Sequence, residues 1–265
     1  MEQVKAIVMR AAGINCDLET EHAFRLAGAQ ADRVHVNRII ETPGILDDYQ
    51  ILVVPGGFSY GDDVAAGKIL ANQLVHHLAD SMRKFVEAGK LVLGICNGFQ
   101  VLVKAQILPG FAESGGAQAD WQVVSITDND SGKYEDRWVY LESVSQRCVF
   151  IEPGRRIYLP VAHGEGKVVT RDSGVLEKLE SEGHVVFRYV DSEGRQGGFP
   201  VNPNGSTNAI AGLTDATGRV LGLMPHPERF VDRTQHPRWT RMAGQEEADG
   251  MTIFNNAVRF VKQHL

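Results

Sequence analysis

Three short stretches carry side chains whose types and spacing suit nucleophilic chemistry. In LVLGICNGFQ, Cys96 stands where an apolar run ends, with Gly94 and Gly98 on either side and a helical pattern beginning near Phe99. Two glycines at that spacing remove the β-carbons that would crowd a tight strand-turn-helix elbow, so the side chain between them can project into a cleft. A thiol placed there also feels oriented backbone N–H groups and the positive end of the helix dipole, which favour the thiolate. An arbitrary cysteine is more often a buried structural residue. The flanking glycines reverse that expectation for Cys96, whereas Cys16 and Cys148 lack such a setting and are read as structural.

The second stretch, LGLMPHPERF, is again an apolar run broken by proline, and it carries His226 and, two positions on, Glu228. In an extended segment positions two apart point the same way, so the carboxylate can orient the imidazole and stabilise its cation. A thiol, an imidazole base and an orienting carboxylate form a nucleophile-base-orienter set. The third stretch, VVPGGFSYGDD, offers a glycine turn. Attack on a carboxamide creates an oxyanion that needs preorganised donors, and Gly57 could supply one N–H while Asn97, directly after the nucleophile, supplies the other.

The elements that must position these residues follow from hydrophobic periodicity. Residues 4–9, 51–54 and 91–95 are apolar runs, with helical patterns over 19–27 and 69–88. Strands apolar on both faces, each followed by a helix, predict a parallel sheet covered on both sides, with function at the strands' carboxyl ends. After Pro109 the texture changes. Residues 123–126, 138–142, 157–161, 185–190 and 210–213 are short strand candidates that suggest antiparallel additions to the sheet. Residues 220–224 form a further strand, 232–250 a polar loop and 251–264 a closing helix. No internal repeat or linker interrupts the chain, so residues 1–265 are expected to form a single domain.

Bulk properties narrow the function classes. A hydrophobic fraction of 43% and a charged fraction of 23% are those of a globular protein with a buried core. The formal charge of -6, without a basic tail, gives no reason to expect nucleic acid as a partner. The start, MEQVKAIVMR, runs into a strand pattern without a charged leader, and no stretch of roughly 18 apolar residues could span a bilayer. A cytoplasmic location and no membrane contact are therefore expected. The 3 cysteines are widely spaced, without a CxxC pair, so neither a disulfide framework nor a zinc site is indicated.

Taken together, PGG, GICNGFQ and MPHPE resemble the class I glutamine amidotransferases, and all three motifs occur in order. GINCDLETEHAF, GGFSYGDDVAAGKI, TDNDSGKYEDRW, PVAHGEGK and NPNGSTNAIAGL further resemble one branch of that family, the glutaminase components of phosphoribosylformylglycinamidine synthase. One departure, Ala12 where that branch usually has proline, touches a loop rather than the triad. The resemblance implies a flavodoxin-like class I glutaminase fold, with Cys96 as nucleophile, His226 as base, Glu228 as its partner and Gln100 near the substrate amide. It also implies that the chain is a separate subunit that releases ammonia from glutamine and passes it through a tunnel. The receiving partners would be a formylglycinamide ribonucleotide synthetase subunit and a small accessory subunit. No cofactor or metal is expected in this chain, since a G-x-x-x-x-G-K-[ST] loop and a magnesium carboxylate cluster are both missing; ATP and magnesium belong to the synthetase.

Some landmarks keep two readings at this level. Asp62 and Asp63 either shape the entrance to the glutamine pocket or face the partner, or else form an exposed acidic loop. His163 and Glu165 in HGEG, and Asn202, Asn204 and Ser206 in NPNGS, either suit tight turns or meet the partner. His22, His35, His76, His77, His184, His236 and His264 are expected to be solvated. Other functions remain open as well: a glutaminase serving a different acceptor, a flavodoxin-like cysteine peptidase or chaperone, or a silent binding module.

Overall fold

The computed structural model describes residues 3–110, 123–241 and 247–265. In chain order its elements are β1 (Lys5–Arg10), α1 (Asp17–Leu26), β2 (Gln30–His35), α2 (Val36–Glu41), β3 (Ile51–Val54), α3 (Lys68–Gln73) and α4 (Ala79–Glu87). They continue with β4 (Leu91–Ile95), α5 (Asn97–Lys104), β5 (Val124–Thr127), β6 (Glu135–Ser143), β7 (Arg156–His163), β8 (Lys167–Thr170) and α6 (Ser173–Ser181). β9 (Val185–Val190), β10 (Ile210–Thr214), β11 (Val220–Leu223) and α7 (Met251–His264) complete the series.

A 9-stranded sheet in the order β2-β1-β3-β4-β11-β10-β9-β6-β7 organises the molecule. The strands from β2 to β11 run parallel, and β10, β9, β6 and β7 extend the sheet by antiparallel pairing. Every residue of β3, β4 and β11 is buried, which requires helices on both faces of the sheet centre. This is the flavodoxin-like α/β architecture expected from the sequence. The helices are held by apolar contacts; Phe24 of α1 meets Phe254 of α7 edge to face with ring centroids 5.0 Å apart. Burial of each such side chain stabilises the fold by about 1.5–3 kcal/mol. Asp17 and Glu19 in the first turn of α1 and Arg25 in its last complement the helix dipole.

Several expectations change. The helix over 69–88 is interrupted by a wider turn at Leu74–Leu78, which separates α3 from α4. The strand at 123–126 does not join the main sheet. It forms β5, which pairs antiparallel with β8 in a separate 2-stranded ribbon. β2 was invisible as periodicity because QADRVH lies at the sheet edge, where polar and half-buried residues are tolerated. Within 232–250, short helical turns occur at Arg233–Gln235 and Trp239–Arg241, the first closed by a capping box from Asp232. The segment 113–122, which looks longer in the sequence than a compact family member would need, lies wholly, with residues 111 and 112, outside the described residues. His184 is fully buried rather than solvated, with Nδ1 2.8 Å from the Thr214 carbonyl oxygen. His236 packs among Trp138, Tyr158 and Phe230. Among the described residues no helix is long and apolar enough to cross a membrane.

Candidate active site

The three chemical motifs meet because they follow neighbouring parallel strands. Val54 of β3 is in register with Gly94 of β4, and Leu223 of β11 is in register with Ile95. Gly56 and Gly57, Cys96, and His226 therefore all emerge at the same carboxyl edge of the sheet. The Cys96 N–H donates to the Leu223 carbonyl at 2.8 Å, and the His226 N–H donates to Pro160 of β7 at 2.8 Å. Residues distant in sequence are thus fixed by main-chain ladders before any side chain contributes.

Cys96 occupies φ 51° and ψ −106°, an uncommon conformation for a residue with a β-carbon. It caps α5, whose first N–H groups have no partners within the helix. The elbow depends on close approach, since a β-carbon on Gly98 would overlap the Val54 carbonyl. The Cys96 sulfur is buried, 3.7 Å from the Ala162 carbonyl oxygen.

His226 and Glu228 lie behind the thiol, exposed by only 1% and 0%. Glu228 Oε1 is 2.6 Å from His226 Nδ1. Burial alone would disfavour the imidazolium. The charge of Glu228, then that of the Cys96 sulfur, with a hydrogen bond donated to the Cys16 sulfur, nevertheless hold the His226 pKa well above its ordinary 6.5. The three predicted triad residues are therefore brought together, with the imidazole in its acidic form and in electrostatic contact with the sulfur.

In front of the sulfur lies a cleft of about 310 Å³, lined among others by Gly57, Asp62, Gln100, Lys133, Tyr134 and His163. A larger hollow of about 330 Å³ beside α4, lined by Met82, Val86 and Ile107, holds none of the candidate residues. Gly57 is on the cleft wall, as the oxyanion reading requires. The Asn97 side chain turns away from the nucleophile: its Oδ1 accepts the Ser59 N–H at 3.2 Å, and its Nδ2 donates to Asp62 at 3.1 Å and to Gln100 at 2.9 Å. Gln100 reaches the cleft, but with both ends of its amide engaged, because Nε2 donates to the Glu165 carbonyl. These bonds tie it to the Glu165 loop beside the pocket. Asp62 faces the cleft, and burial raises its carboxyl pKa; Asp63 is exposed.

Sequence reasoning missed four residues around this site. Cys16, treated as structural, is fully buried beside His226, and Arg229 donates to its sulfur at 3.1 Å. Arg229 directly follows Glu228 and was visible in HPER. His163 was left between a tight turn and a partner contact and Asn129 was not singled out, although LPVAH is another apolar run ending in a histidine, the same signature that singled out His226. Cys148 matches its structural reading, since burial pushes its thiol up to about 12.

With this geometry in place, comparison with known proteins is decisive: the CobB/CobQ-like glutamine amidotransferase domain matches residues 3–261. The chain belongs to the glutamine amidotransferase family. Phosphoribosylformylglycinamidine synthase subunit PurQ of Dehalococcoides mccartyi is 46% identical over 265 residues, covering 99% of this chain and 100% of the relative. The subunit of the same name in Archaeoglobus fulgidus is 40% identical over 275 residues, with coverage of 99% and 98%. Among solved structures, a chain of PurLQS from Thermotoga maritima superposes with a TM-score of 0.72 at 31% identity, covering 98% of this chain and all of that one.

In this amidotransferase one cluster has the composition of a metal site: Cys16, His226 and Glu228 place potential ligand atoms within 4.8 Å of one another. Its chemistry argues otherwise. A cation would have to displace the 2.6 Å contact between His226 and Glu228 and sit beside the guanidinium that donates to Cys16. The group is better suited to holding a proton than a metal.

Proposed function

We propose that this amidotransferase is the glutaminase subunit of phosphoribosylformylglycinamidine synthase. It hydrolyses glutamine to glutamate and ammonia for a partner synthetase that uses ATP to convert formylglycinamide ribonucleotide to formylglycinamidine ribonucleotide. The observation that carries this reading is the strained Cys96 elbow one strand away from the buried His226–Glu228 pair. The branch is supported by the names and near-complete coverage of the relatives. The single-domain reading of residues 1–265 is supported by the one large sheet and by the match over 3–261.

The Cys96 thiolate attacks the carboxamide carbon, and the N–H groups of Gly57 and Asn97 receive the developing oxyanion. The His226 imidazolium, stabilised by Glu228, gives its proton to the departing nitrogen, so ammonia leaves and a γ-glutamyl thioester remains. The now neutral imidazole takes a proton from water, whose oxygen attacks the thioester. Collapse releases glutamate and restores thiolate and imidazolium. Ammonia must reach the synthetase without protonation in bulk water, which is the reason for a tunnel between subunits. ATP and magnesium act on the synthetase, and this chain's chemistry needs neither.

The test is to mix the purified chain with its synthetase and measure glutamate release with and without formylglycinamide ribonucleotide and ATP. Stimulation by that acceptor system is expected. Cys96→Ala should abolish product formation from glutamine and leave formation from added ammonium intact; glutamate release undiminished in that variant would refute the mechanism.

A further inference from the structure

His163 ends β7 on the wall of the cleft that Cys96 enters, yet it is 2% exposed and its Nε2 has no hydrogen-bond partner among the described residues. Buried polar nitrogens are rarely left so. The identity of this one can be derived. Asn129 donates from Nδ2 to the carbonyls of Lys133 and His163, both at 2.8 Å, so its amide orientation is fixed. Its Oδ1 accepts the Gly166 N–H at 3.0 Å and lies 3.1 Å from His163 Nδ1. An amide oxygen only accepts, so Nδ1 must carry the proton and donate it. Burial, and then the positive charge of His226, push the His163 pKa down to about 4, so the ring holds no second proton at neutral pH. Nε2 is accordingly a bare lone pair on a residue that lines the cleft Cys96 enters.

The two imidazoles of the site are thus driven apart. His226 is held as an acid by Glu228 and Cys96, and His163 is held as an acceptor by Asn129 and by His226 itself. Environments that separate like groups in this way assign complementary roles. Resting on the glutaminase reading, we propose that His163 is a specificity-determining residue whose Nε2 lone pair accepts a hydrogen bond from the carboxamide N–H of bound glutamine. A carboxamide nitrogen can donate there, whereas the γ-carboxylate of glutamate presents only lone pairs. The same contact therefore turns the carboxamide so that its carbon faces sulfur, and it disfavours retention of the product.

The experiment compares glutamate release from glutamine and from glutamate γ-methyl ester, which has no N–H at the reacting group. It uses the chain assembled with its synthetase, as wild type, His163→Leu and His163→Gln. Loss of one buried hydrogen bond predicts that His163→Leu lowers kcat/KM for glutamine relative to the ester by about 10-fold. Inhibition by glutamate should strengthen relative to glutamine binding. His163→Gln, which carries an acceptor oxygen, should recover most of the amide preference. A merely structural role would depress both substrates together, and that parallel loss, or an unchanged ratio, overturns the proposal. If His163→Leu fails to fold, Asn129→Ala decides, because freeing the ring to change tautomer should give an intermediate ratio. Wild-type protein inactive on both substrates would sink the glutaminase reading as well; hydrolysis with an unshifted ratio in the variants sinks this inference alone.

Discussion

Glu228 holds His226 at 2.6 Å in a region that solvent does not reach, and the pair is oriented toward a sulfur carried by the adjacent strand. The carboxylate does two things at once. It fixes which imidazole nitrogen faces Glu228, and it supplies the charge that outweighs burial and keeps the ring cationic.

Replacing Glu228 with Gln should lower kcat for glutamate release by about 10³-fold or more, since the ring loses both orientation and charge support. The same change should cost about 3 kcal/mol of stability, as expected when one member of a buried pair is removed. The sign of its pH dependence follows from a His226 pKa raised above 6.5 in the folded protein. The pair's contribution is complete below about pH 6.5 and is lost as pH rises through the elevated value. Thermal unfolding of wild type and variant should therefore differ most near pH 6 and converge toward alkaline pH; a gap that widens with pH would contradict the assignment.

Gly56 should tolerate no side chain. A β-carbon there would lie 2.9 Å from His226 Cε1 and 3.2 Å from the Cys16 sulfur, neither of which is free to move. Gly56→Ala is expected to cost about 1–3 kcal/mol through overpacking and to lower kcat by about 100-fold through a displaced ring. Denaturant titration and steady-state kinetics check the two halves separately. Full activity in a destabilised variant would show that the ring position is not critical.

His163 should make the fold sensitive to acid. With its folded pKa lowered to about 4 against an ordinary 6.5, the unfolded chain takes up this proton first as pH falls. Stability is then lost progressively between about pH 6.5 and 4, by about 3 kcal/mol at the lower end. His163→Gln removes that linkage, so its urea midpoint should decline less than that of wild type over this interval. Equal slopes for the two proteins would place the titration elsewhere.

The catalytic candidates were legible because each follows an apolar strand broken by Gly or Pro, a pattern set by local sterics. The same logic located β1, β3, β4 and β11, whose residues are buried on both faces. It failed for β2, an edge strand with polar residues, and for the destination of β5, because pairing with β8 depends on contacts that periodicity does not encode. It also failed at His163, Asn129, Cys16 and Arg229. Although Arg229 adjoins Glu228 and His163 ends an apolar run, what these residues do depends on neighbours brought close by tertiary structure: an amide that fixes a tautomer, or a guanidinium that lands on a sulfur.

The registered pairing of β4 with β11 carries a consequence for how the protein fails. Sulfur and imidazole are carried just past the ends of two strands zipped together at the middle of the sheet, so the main chain that bears them stays in place while that zip remains closed. Warming that merely loosens peripheral loops leaves the reacting atoms aligned, and inactivation coincides with the tearing of the central ladder itself.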